Sequence, residues 1–193
     1  MYLFFDTETT GFLSKSLGPN DPKQARICQL AAILSSEDGT EISRMDVLIK
    51  PTNWVISEQL TKIHGISHQM AVENGIPILD ALAQFESMLR GCTVLVAHNF
   101  NFDRDMLALE HKANNFLHSE FSKKSTCCTM INSTEICKIP KIRGSGYKWP
   151  KLQEIHQHLF GCEFADAHDA LADITATKKV FFEIMRLEKD GLI

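Results

Sequence analysis

No apolar run approaches the ~20 residues that a membrane-spanning helix requires, and the opening Met-Tyr-Leu-Phe-Phe-Asp has neither a basic region nor a cleavage site, so it does not read as a secretory leader. No C-x-x-C pair occurs among the six cysteines Cys28, Cys92, Cys127, Cys128, Cys137 and Cys162. That argues against a zinc site or a redox motif, and a chain of 193 residues does not need disulfide staples. The cysteines are therefore expected as core residues of a cytoplasmic protein. Internal repeats, low-complexity tracts and linkers are also missing, so one domain over residues 1–193 is expected. Positive charge is scarce as well: the net charge of −4 has the wrong sign for a nucleic-acid binder. Distribution matters more than the total, since an acidic cluster that holds divalent cations reverses its own local field. What is present, 44% hydrophobic and 23% charged residues, is ordinary globular composition.

Tyr2 to Asp6 is apolar on both faces and predicts a buried central strand. Arg26–Leu34 and Ile42–Ile49 predict two more, joined by Glu37-Asp38-Gly39 as hairpin chemistry. Ser57 can cap a short helix through Ile63, with Gly65 beyond its end. Leu79, Leu82, Phe85, Glu86 and Leu89 predict a helix stopped by Gly91. A strand over Thr93–Ala97, a helix over Asp103–Lys112 and a last strand over Thr126–Met130 follow. Pro150–Phe160 predicts a helix with proline in its first turn and Gly161 as its stop. The final helix is expected over Asp169–Leu187, on the stripe Leu171, Ile174, Phe181, Ile184 and Met185. Strands first and helix–strand alternation afterwards give an α/β domain with a mixed sheet.

Three acidic segments carry the chemistry. Asp6 and Glu8 lie two apart at the end of the first strand, so they project to one side. The carboxyl end of a central strand is where open α/β sheets place ligands; the bland alternative is a solvated turn. Asp103 closes His98-Asn99-Phe100-Asn101-Phe102-Asp103 after the fourth strand, where a carboxylate could equally cap a helix. His168 and Asp173 are five apart, about 140° around an ideal helix. His168 is thus expected on the preceding loop, arched over a site that Asp173 faces, as suits a general base beside a metal.

Together these segments resemble the DEDDh 3′→5′ exonucleases of the ribonuclease H-like superfamily, with D-x-E, N-x-x-F-D-x-x-x-L and H-x-x-x-x-D in matching order over nearly the whole chain. Asp6-Thr7-Glu8-Thr9-Thr10-Gly11 and Ile63-His64-Gly65-Ile66 are similar to segments of epsilon-type proofreading exonucleases, and ribonuclease T belongs to the same group. The resemblance implies a mixed five-stranded sheet flanked by helices and a 3′→5′ exonuclease that releases nucleoside 5′-monophosphates. It implies two divalent cations, Mg²⁺ or Mn²⁺, which suit carboxylate oxygens. Asp6, Glu8 and Asp173 would hold one, Asp6 the second with Asp103 acting largely through water, and His168 would be the base. Thr9, Thr10 and Gly11 would meet the terminal nucleotide, His64 and Ile66 flank its base, and Asn99 and Phe102 line the site. Local packing is the alternative for His64 and Phe102.

The partner expected is a single-stranded or frayed 3′ end, in DNA proofreading or repair or in RNA processing; nothing in the sequence reads the 2′-hydroxyl. A catalytically silent nucleic-acid-binding scaffold is the competing class, disfavoured by the presence of all four acids and the histidine. Some relatives form dimers, so the resemblance allows a homodimer. Epsilon-type subunits usually carry a polymerase-binding tail, and only 20 residues follow Asp173, so a stable polymerase partner is not indicated. Two segments stand apart. Phe12–Ala25 is longer than the family's usual link and reads as loop. Lys138–Lys151 has Lys138, Lys141, Arg143, Lys148 and Lys151 with no acid, so it is +5 and the rest of the chain −9 against the total of −4. With Tyr147 and Trp149 interleaved it reads as a strand clamp, or as a connection whose Trp149 packs under the next helix.

Overall fold

The computed structural model describes residues 1–116 and 120–193. Tyr2–Thr9 (β1), Ile27–Ser35 (β2), Glu41–Leu48 (β3), Val94–Ala97 (β4) and Ser125–Cys128 (β5) form a five-stranded sheet in the order β3-β2-β1-β4-β5. The β1–β2 and β2–β3 pairs are antiparallel; β4 and β5 run parallel to β1. The helices are Glu58–His64 (α1), His68–Asn74 (α2), Ile78–Gly91 (α3), Phe100–Ala113 (α4), Thr129–Asn132 (α5), Thr134–Cys137 (α6), Leu152–Phe160 (α7) and Ala170–Lys189 (α8). The mixed sheet flanked by helices is the architecture expected.

β1 explains the layering. Its side chains alternate, so Leu3 and Phe5 pack with Leu82, Phe85, Phe100 and Met106 of α3 and α4, while Phe4 packs with Ile174 and Phe181 of α8. Ring contacts reinforce both faces: Phe5 meets Phe85 at 5.5 Å, and Phe4 meets Phe181 at 5.4 Å. Phe4, Phe5 and Phe85 are fully buried, and truncation of any of them to Ala would cost about 3–5 kcal/mol. No helix among the described residues is long and apolar enough to cross a membrane.

Several boundaries depart from expectation for physical reasons. α2 was not foreseen; it has seven residues, too few for periodicity to show, although Ser67 caps it by accepting from Met70 N at 3.1 Å. α4 begins at Phe100, not Asp103, so Asp103 lies in its first turn rather than at its cap. The last strand stops at Cys128 and the chain turns helical at Thr129, which is buried with its hydroxyl bonded to His98 Nδ1 at 3.0 Å. Pro150 lies outside α7, because its carbonyl accepts from His98 Nε2 at 3.0 Å and cannot begin the helical ladder. Gly91 is the last helical residue of α3, capped by Cys92. Leu79 and Met185, both on the expected apolar stripes, are exposed. The cysteines are free and only Cys28 and Cys92 are core; Cys127, Cys128 and Cys137 are half-buried and Cys162 is exposed.

Candidate active site

The even residues of β1 draw the site. Tyr2 and Phe4 cover Phe181 and Phe182 of α8, and Asp6 and Glu8 extend the same row beyond the apolar contact. Asp173, in the first turn of α8, approaches from that layer. Asp103 comes from α4 on the opposite layer, 2% exposed, and is fixed by Thr7: its Oδ1 accepts from Thr7 N at 3.0 Å and from Thr7 Oγ1 at 2.8 Å. The four expected acids therefore meet at the carboxyl end of the central strand.

Their electrostatics are those of crowded anions. Burial, then Asp103, Asp173 and Glu8, hold the Asp6 carboxyl well above the usual range. Burial, then Asp173 and Asp103, push Glu8 up to about 8. Burial raises Asp103 against the lowering pull of its two Thr7 bonds. Asp173 rises to about 6, again by burial, with His168 pulling it back. Such groups ionise together only if cations sit among them. Among the described residues Asp173 Oδ1 is buried with no hydrogen-bond partner, an acceptor of the kind a metal satisfies. The donor set is carboxylate oxygen, so the residues fit Mg²⁺ or Mn²⁺.

His168 lies on the loop before α8, as expected, exposed and at φ 70°. One of its ring nitrogens and carboxylate oxygens of Glu8 and Asp173 lie within 4.8 Å of one another. Asp166 has φ 58°, so two side chains occupy the left-handed region here, each at a cost of about 1 kcal/mol or more. Asp169 then caps α8, accepting from Ala172 N at 2.9 Å.

The segment after Glu8 leaves the sheet through a register shift between Glu8 and Thr9. The Thr9 hydroxyl donates to the Gly11 carbonyl at 2.8 Å, and the Thr10 hydroxyl accepts from Arg26 N at 2.8 Å, so both shape the turn. Gly11 has φ 136°, with open space where a Cβ would stand. His64 is buried at the end of α1, accepting from Ile66 N at 3.1 Å, and burial lowers its pKa. Ile66 is buried with Cys28, Ile56 and Ala71. Asn99 is exposed at φ 66° ahead of α4. Phe102 is half-buried, its ring 5.9 Å from that of Phe12, which is 87% exposed on the loop after Gly11. Residues 12–25 are indeed loop.

Three positioning residues escaped the sequence reading. Gln29, opposite Glu8 on β2, donates to Asp169 Oδ2 at 3.1 Å and Asp46 Oδ1 at 2.8 Å, and accepts from Ala170 N at 3.2 Å. It is a buried polar side chain within the apolar run of residues 27–34, and that is its signal. Thr7 had no signal beyond lying between two acids. His98 ties β4 to Thr129 and Pro150, and burial lowers its pKa to about 4. It is thus neutral, with Nε2 donating to the Pro150 carbonyl and Nδ1 accepting from the Thr129 hydroxyl.

Residues 3–181 match the exonuclease family designated RNase T. Similar curated proteins include the DNA polymerase III epsilon subunit of Treponema pallidum, 35% identical over 92% of this chain and 73% of that protein. A PolC-type DNA polymerase III of Lactococcus lactis is 34% identical over 58% of this chain but 6% of the polymerase. Among solved structures, Escherichia coli exonuclease I in complex with a dT13 oligonucleotide superposes with a TM-score of 0.76 at 20% identity. That match covers 99% of this chain and 42% of exonuclease I, and it gives the fold as ribonuclease H-like.

Proposed function

This chain belongs to the RNase T exonuclease family, and from that premise we propose that residues 1–193 form a single domain that removes nucleotides one at a time from 3′ ends as 5′-monophosphates. The observation that carries the reading is the convergence of Asp6, Glu8, Asp103 and Asp173, with Asp173 Oδ1 left without a partner. Asp6, Glu8 and Asp173 would hold one divalent cation and Asp6 the other, with Asp103 acting on the second largely through water. Bound there, Mg²⁺ or Mn²⁺ supplies an acidified water and charge stabilisation for in-line displacement. A ring nitrogen of His168 takes the proton of the attacking water. Thr9–Gly11, Asn99 and Phe102 seat the terminal nucleotide, with His64 and Ile66 beneath its base. DNA is the substrate, a choice supported by the epsilon-subunit relative.

A second role for His168 is favoured by its distance from Glu8 and Asp173, which would also let it ligate a cation. The test of the main reading is a panel of 3′- and 5′-labelled single- and double-stranded DNA and RNA, digested with Mg²⁺ or Mn²⁺. Release of the 3′ label at the first cut and stepwise shortening of the 5′-labelled strand are expected with metal, and neither in EDTA. Full hydrolysis in EDTA, or efficient cutting of a closed circular strand, would sink it.

A further inference from the structure

The acidic cluster poses a problem of its own, since it repels the phosphates it must receive. We infer that residues 138–151 form an arm that takes the phosphates of a single strand and stacks its bases, feeding it to the acidic edge. The inference rests on the exonuclease reading for its direction, but its observations are separate. Residues 138–151 carry five cations and no acid while the rest of the chain is −9. The segment folds back on itself: Pro140 and Tyr147 pair antiparallel, Lys148 N donates to the Ile139 carbonyl at 2.9 Å, and Lys141 N to the Gly146 carbonyl at 3.2 Å. Gly144 and Gly146, at φ 80° and 85°, make the tight return that other residues resist.

The base of the arm is fixed and its outer part is bare. Glu154 Oε2 accepts from Lys148 Nζ and from Lys151 N, both at 2.7 Å. His98 Nε2 donates to the Pro150 carbonyl at 3.0 Å. His98 directly follows β4, which runs parallel to β1, so it lies at the same sheet edge as the acids, five residues before Asp103. The arm therefore springs from the catalytic edge. Lys148 is spent on Glu154, whereas Lys141, Arg143 and Lys151 stay exposed, and Lys141 and Arg143 take no ion pair among the described residues. Trp149 is 64% exposed and Ile142 99% exposed, so the expectation that Trp149 packs under the next helix does not hold. Trp is ordinarily largely buried, and a bare indole beside cations is what sequence-tolerant strand binding uses.

The test is anisotropy of a labelled phosphorothioate oligothymidylate on the full chain with its metal, across a salt series, for wild type, Lys141→Ala/Arg143→Ala and Trp149→Ala. The double variant should lower the slope of log affinity against log salt by about 1.4, two contacts at roughly 0.7 each. Trp149→Ala should weaken binding about ten-fold with little change of slope. The loss of affinity in the double variant should shrink on a dinucleotide, which offers fewer phosphates. An unchanged slope in the double variant, with 3′ hydrolysis by wild type intact, overturns the arm and leaves the exonuclease reading standing. An equal loss of slope in Lys112→Ala/Lys189→Ala, two exposed cations elsewhere, also overturns it. If wild type hydrolyses no strand yet binds one through the arm, the exonuclease reading falls and the arm stands.

Discussion

Gln29 on β2 holds Asp169, the cap of α8, through a 3.1 Å bond from its amide nitrogen, while its amide oxygen takes Ala170 N at 3.2 Å. One buried side chain thus sets where α8 begins, and so where Asp173 stands against Glu8. Gln29→Met keeps the volume and removes both of these bonds together with the one to Asp46. It should cost about 2 kcal/mol in urea unfolding and weaken Mn²⁺ binding in calorimetry, with kcat/KM down about ten-fold or more. Unaltered Mn²⁺ affinity in a destabilised variant would reduce Gln29 to a packing residue.

Glu8 makes the metal-free protein pH-sensitive in an unusual direction. Folded, it keeps its proton until about pH 8; unfolded, it releases it near its ordinary 4.5. The unfolded chain therefore binds fewer protons across that window, and stability falls as pH rises through it. Glu8→Gln in EDTA at pH 8 should gain about 1–2 kcal/mol, a Tm higher by about 5 °C, while losing nuclease activity. A lower Tm would show that the acids are not in repulsion. Asp6→Ala and Asp173→Ala should likewise abolish activity with the fold retained.

His168→Ala should lower kcat roughly 10²- to 10⁴-fold while sparing metal and substrate affinity, if its ring is the base. Weak Mn²⁺ binding with wild-type turnover at saturating metal would assign it to the cation instead. Because His168 sits at φ 70°, His168→Gly should fold more stably than His168→Ala, which thermal melts can compare.

His98 gives the opposite pH sign from Glu8. Its folded pKa of about 4 lies below the ordinary 6.5, so its contribution is complete above pH 6.5 and is lost as pH falls towards 4. The advantage of wild type over His98→Gln should shrink across that window, by at most about 3 kcal/mol. Denaturation at pH 7 and pH 4.5 reads it; a constant difference would mean His98 is not buried as a neutral ring.

The legible parts were those where one short segment carries its own instruction. Phe4 to Glu8 states a strand and its acidic edge together, Ser57 and Gly65 bracket α1, and His168 five before Asp173 is placed correctly by helix geometry alone. What stayed hidden depends on distant partners. Thr7 donates to Asp103 across 96 residues and Gln29 to Asp169 across 140, and neither leaves a spacing to read. α2, α5 and α6 have at most seven residues, too few for a repeat. Trp149 and Cys162 broke a composition rule, because burial follows what packs nearby and not residue type.

The order in which the acids occur along the chain has a consequence for synthesis. β1 brings Asp6 and Glu8 first, α4 adds Asp103, and α8 supplies Asp173 only after the sheet it packs on has been made. A nascent chain emerged as far as Gly161 carries three of the four acids, without His168 or Asp173 to complete the cluster. Domains fold as units, and contacts between chain ends form late. On the proposed assignment, strand cleavage would therefore begin only once α8 has docked, and a chain cut after Gly161 should hydrolyse no strand.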